Sequence, residues 1–101
     1  FCWRNFSLQS TLCQDAAKKA NLRLLCANRP GKAGTSDAGK PPPGTSAAVW
    51  HLETTVDDAA ALLAELGISR ASIIFFCAGT PFALRFASKY SGLCCGRMLG
   101  I

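Results

Sequence analysis

At 101 residues the chain is long enough for one small domain with a single core and too short for several. Half of its residues are apolar, which excludes a disordered chain, and its longest apolar stretch, Ala71 to Gly79, is too short to cross a bilayer as a helix. The formal charge of +5 comes from eleven scattered basic residues, so it reads as a solvated surface and predicts neither a nucleic-acid nor a membrane partner.

In chain order, Phe1 to Leu8 reads as the frayed end of a strand, with Phe1, Trp3 and Phe6 among polar residues. A helix is expected next, capped by Ser10 or Thr11, with Gln14 as capping-box partner and Lys18-Lys19 in its last turn. Asn21 suits a left-handed stop. Leu22 to Cys26 is expected to be a short strand, broken by Asn28-Arg29-Pro30-Gly31. Residues 32–53 are read as a long Gly/Pro-rich surface loop. Within it, Gly34 to Lys40 matches the first part of a phosphate-binding loop, but Pro41-Pro42-Pro43 removes both the following hydroxyl and the helix that such a loop needs.

Thr54 and Thr55 each have an acid three residues on, Asp57 and Asp58, which predicts a helix start there. Val56, Ala59, Ala60, Leu63 and Leu66 give that helix an apolar face, and Gly67 ends it. Ile73 to Phe76 is an unalternating β-branched and aromatic run, as in a strand covered on both faces. Cys77-Ala78-Gly79 forms a sharp turn. Thr80 caps a helix with Pro81 in its first turn, and Phe82, Ala83, Phe86, Ala87 and Tyr90 recur at helical spacing. Gly92 stops it, and Arg97 to Ile101 is a last strand.

The order (β)-α-β-α-β-α-β predicts a single α/β domain over residues 1–101: three layers, α/β/α, around a short, mostly parallel sheet of about four strands. Functional residues in such sheets lie beyond the carboxyl ends of the strands, here Cys26 to Gly31 and Cys77 to Gly79. The six cysteines are Cys2, Cys13, Cys26, Cys77, Cys94 and Cys95. Cys26 and Cys77 end apolar runs, and Cys94-Cys95 lacks a partner at metal spacing, so reduced thiols in a cytoplasmic protein are expected, with no metal and no cofactor. No secretory leader is expected, and a start at Phe1 rather than Met reads as a trimmed or partial product.

From Thr54 to Ile101 the sequence resembles the middle of an α/β-hydrolase: an acidic helix start, Leu62-Leu63 to Gly67-Ile68, a strand, an elbow at the G-x-S-x-G position, a helix carrying Ala83-Leu84-Arg85, and a strand. Asn21 to Asp37 resembles the RVIAPDRPGxGxSD turn of the same family, and residues 1–20 a worn form of its HGxPxSS loop and following helix. The resemblance is specific between Leu52 and Tyr90, fair around Arg29-Pro30-Gly31 and weak before Ser10. It implies a truncated hydrolase core with strand order 2-1-3-4, lacking the family's first and last strands.

It also implies a site. Cys77 falls on the nucleophile, Ala78 on one oxyanion N–H and Gly79 on the closing glycine. The departures are Cys for Ser, Phe75 where the family has its first glycine, Asn28 for the usual aspartate, and no His-Gly pair near Trp3 to Phe6. From Ala78 to Ile101 there is no His, Asp or Glu, so the only histidine, His51, is the one candidate base and stands on the wrong side in chain order. The leading expectation is therefore a truncated, non-catalytic hydrolase-like module for binding or assembly, forming a homo-oligomer through exposed sheet edges. The alternative is a thiol-dependent hydrolase of a small-molecule ester or lactone with Cys77 as nucleophile and His51 as base. A third reading is a redox or metal-binding protein using Cys94-Cys95.

Overall fold

The structure, a computed structural model, describes residues 9–75 and 77–100, with side chains from residue 13 onward. It contains helices α1 (Gln9–Lys19), α2 (Ala47–Glu65) and α3 (Thr80–Lys89), and strands β1 (Ala71–Phe75) and β2 (Cys94–Gly100). The two strands run parallel, joined by α3 in a β-α-β unit. Among the described residues no helix is long and apolar enough to cross a membrane.

The expected four-stranded sheet of order 2-1-3-4, with its three layers, is not formed: the sheet has two strands, β1 beside β2. The strand expected at Leu22 to Cys26 reduces to a single bridge residue, Cys26. Leu22 is 66% exposed, and a run this short cannot hold extended structure without a ladder of partners. The strand expected before Ser10 lies outside the described residues. Among the described residues the architecture is thus mixed α/β, three helices and a two-stranded parallel sheet, with α3 packed on both β1 and α2.

Local chemistry explains most boundaries. Asn21 closes α1 at φ 56°, and Gly67 closes α2 at φ 69°, both in the left-handed region. The helix expected from Thr54 begins seven residues earlier. Its cap is Ser46, whose Oγ accepts a hydrogen bond from the Val49 N–H at 3.2 Å. Ala47 and Ala48 are strong helix formers that extend the apolar pattern upstream, so the loop ends at Ser46 rather than at residue 53. Thr55 is not a cap; it is buried in mid-helix and donates to the His51 carbonyl at 2.6 Å. Replacing the true cap, Ser46→Ala, is expected to cost about 1 kcal/mol. A thermal melt should show a Tm lower by roughly 4–8 °C.

The core joins three elements. Val56, Ala59, Ala60 and Leu63 of α2 meet Phe82, Ala83 and Phe86 of α3, and Ile73 of β1 lies beneath them. Leu25, Ala27, Phe75, Leu93, Cys94 and Met98 pack around this cluster. The register pairs Ala71 with Cys94, then Ile73 with Met98 and Phe75 with Gly100, with an irregularity in between. Gly96, at φ 74°, lies within it and supplies the backbone freedom that such a bulge needs. Core-facing residues are therefore Ala71, Ile73 and Phe75 on β1 and Cys94, Met98 and Gly100 on β2. Ser72, Ile74, Cys95, Arg97 and Leu99 occupy the opposite face.

Candidate functional site

The turn between β1 and α3 places three expected site residues together. Cys77, Ala78 and Gly79 form one 3-10 turn, and α3 starts immediately after it. The strand stops at Phe75, and Cys77 sits at φ 48°, in the left-handed region that a side-chain-bearing residue seldom adopts. Its thiol is exposed. Gly79 is buried and is itself the N-cap of α3; Thr80, expected as the cap, is instead the first helical residue. The Thr80 hydroxyl turns back and donates to the Cys77 carbonyl at 2.8 Å, tying the helix start to the turn.

Phe75, at the position where a hydrolase elbow has glycine, is accommodated rather than crowded. Its ring lies over Gly100, where an added Cβ would come within 2.8 Å of two ring carbons. The glycine at the end of β2 makes room for the aromatic ring at the end of β1.

His51 is held by α2 rather than by the turn. It sits in the second turn of α2, and its ring meets Phe82 edge-on, with centroids 5.9 Å apart. Phe82 also meets Arg29, whose guanidinium carbon lies 5.1 Å from the ring centroid. Neither ring nitrogen of His51 has a hydrogen bond to Cys77 among those formed by the described residues. The structure thus brings Cys77, Ala78 and Gly79 together and packs His51 against the α3 core residue Phe82.

His51 also borders an open cleft of about 440 Å³, together with Trp50, Ala47 and the loop from Asp37 to Pro41. The Trp50 indole N–H donates to the Ala38 carbonyl at 2.8 Å and pins that loop to α2. Gly34 to Lys40 forms turns and irregular backbone, and no helix follows Lys40 before Ala47. The loop therefore does not present the helix N-terminus that phosphate binding requires.

A polar clasp between α2 and α3 was not anticipated from the residue pattern. Arg85 grips Glu53 with two hydrogen bonds, at 2.6 and 3.2 Å. Lys89 bridges Glu53 at 2.9 Å and Asp57 at 2.7 Å, and the Tyr90 hydroxyl donates to Asp57 at 2.6 Å. The hydrogen bonds from Arg85 and then Lys89 hold the Glu53 carboxyl down to about 2. Burial pushes Asp57 up, but its bonds from Lys89 and Tyr90 outweigh this and leave it below its ordinary value. Lys89 and Tyr90 are both raised, chiefly by their bonds to Asp57. The signal was present in the sequence: Glu53 and Asp57 stand four apart on one helix, and Arg85 and Lys89 four apart on the next.

No family model matches the chain, and no curated protein or solved structure is similar to it.

Proposed function

We propose that this chain is a binding or assembly module, hydrolase-like in its strand-turn-helix elbow, that works by associating through the open side of its sheet rather than by catalysis. The observation that carries this reading is the state of β2. Among the described residues it has a strand neighbour on one side only, and Leu99 on its outer face is 58% exposed. Parallel sheets are normally covered on both faces, and a two-stranded sheet alone is marginal in water. An open edge with an exposed apolar residue recruits another chain. The edge-on contact of His51 with Phe82, with no hydrogen bond from His51 to Cys77 among the described residues, supports the non-catalytic half of the reading. Sedimentation velocity over a wide concentration range is the test: the expected result is a weight-average mass that rises above the monomer, and a strictly monomeric species would overturn it.

A second reading rests on Cys77 alone. An exposed thiol at φ 48°, directly ahead of the positive end of α3, is placed as a nucleophile in ester or lactone hydrolysis would be. On that reading an activated aryl ester is hydrolysed by the protein and not by Cys77→Ala, with Cys77→Ser strongly impaired. Equal rates in all three exclude it. The proposed module is expected to show the equal rates, and the Cys77 thiol is expected to react with a thiol reagent no faster than an ordinary exposed cysteine.

A further inference from the structure

The charges of this protein are segregated in a way that identifies what the open sheet face takes. No Lys or Arg occurs between Lys40 and Arg70, and four of the six acids lie on α2. Two of these, Glu53 and Asp57, are neutralised by Arg85 and Lys89. The other two, Asp58 and Glu65, have no ion-pair partner among the described residues and are exposed. They share one outward stripe of the helix with Ala61, Leu62 and Leu66, at i, i+3, i+4, i+7 and i+8. Leu62 is 38% and Leu66 40% exposed, large for leucines on a helix whose other side builds the core. Glu65 ends α2, where a carboxylate meets the negative pole of the helix and gains most from a cation.

The outer sheet face is the complement. Ile74 and Leu99 are paired across the strands there, and Arg97 stands beside them on β2. Arg70 immediately precedes β1 on the same side of the alternation. Both arginines are exposed, neither has an ion-pair partner among the described residues, and no acid occurs on either strand. The two carboxylates lie roughly 10 Å apart along α2. The two arginines lie about 7 Å apart along the strands, a difference that arginine side chains span.

The geometry points to a second copy of this chain as the occupant: the outer stripe of α2 in one copy lies on the outer sheet face of another, with Leu62 and Leu66 against Ile74 and Leu99, and Asp58 and Glu65 against Arg70 and Arg97. This rests on the assembly reading above and supplies its interface. Two copies each of net charge +5 repel at a distance, so the contact needs such a local match of opposite charge. Because the two patches differ, the contact is head-to-tail, and it ends either in a closed ring or reciprocated pair or in a growing chain.

The test uses two double variants of the full chain, each checked for native circular dichroism: Arg70→Glu with Arg97→Glu, and Asp58→Arg with Glu65→Arg. Each alone sets like charges against each other and should weaken self-association by more than roughly a hundredfold. Mixed together, the two restore opposite charges at every contact and should reassociate as tightly as the wild type. Association unchanged in either variant, or lost in both and not restored by mixing, overturns this interface while the assembly reading stands. A wild type that stays monomeric overturns both.

Discussion

Phe86→Ala is expected to cost about 3–5 kcal/mol, the largest loss from any single truncation among the described residues. Phe86 has no exposed surface, and it is the bulkiest of the fully buried side chains. It lies where α3 meets both α2 and β1, with Leu63 and Ile73 as fellow core members and the Tyr90 ring 5.5 Å away. Its neighbours come from separate elements, so no one of them can collapse into the space it leaves. A domain of this size has a total stability on the order of 5–15 kcal/mol. Urea unfolding should therefore show a midpoint reduced by about a fifth or more, or no cooperative transition at all. Leu84→Ala, on the same helix but 55% exposed, should change stability by less than about 1 kcal/mol and serves as the control.

The second large effect is in acid. Glu53 is held down to about 2 against an ordinary 4.5, so the folded state binds its proton less readily than the unfolded state does. The stability this contributes is fully present above pH 4.5 and is lost as the pH falls toward 2. Asp57, also lowered, adds in the same direction. At the other extreme, Lys89 and Tyr90 are raised, so their contributions hold below their ordinary values and fade as the pH climbs beyond them. The side chains of the clasp are 25–48% exposed, so screening by solvent limits Glu53→Gln to a loss of about 1 kcal/mol near neutrality. Thermal melts should show wild type and Glu53→Gln separated at pH 7 and converging by pH 2. A constant separation across that range would contradict the assignment.

Features with a local cause were legible in the sequence. The left-handed stops at Asn21 and Gly67, the strand-turn-helix around Cys77 and the apolar faces of α2 and α3 all follow from the residues on the spot. The start of α2 was misplaced because the Thr54-Thr55 and Asp57-Asp58 pairs imitate a capped helix end, while Ser46 stands seven residues before Glu53 in a segment that reads as loop. Strand number was not legible. Whether Leu22 to Cys26 extends into a ladder depends on pairing partners outside that run, and within it only Cys26 forms a bridge. The same holds for the site: the turn at Cys77 is local, but the contact of His51 with Phe82 joins residues from two helices. In the sequence Asp57 and Asp58 mark a helix start and Glu53 falls at the end of a loop, because the arginine and lysine that claim Glu53 lie 32 and 36 residues away.

The central claim is that β2 and its outer face are covered by another molecule of the chain. Hydrogen exchange of the peptide spanning Cys94–Gly100, followed by mass spectrometry at rising protein concentration, tests it most directly. The account predicts that exchange in this peptide slows as concentration rises, while the Gly31–Thr45 loop exchanges at a constant rate. Exchange in β2 that is independent of concentration, in a protein that remains folded throughout, would contradict it.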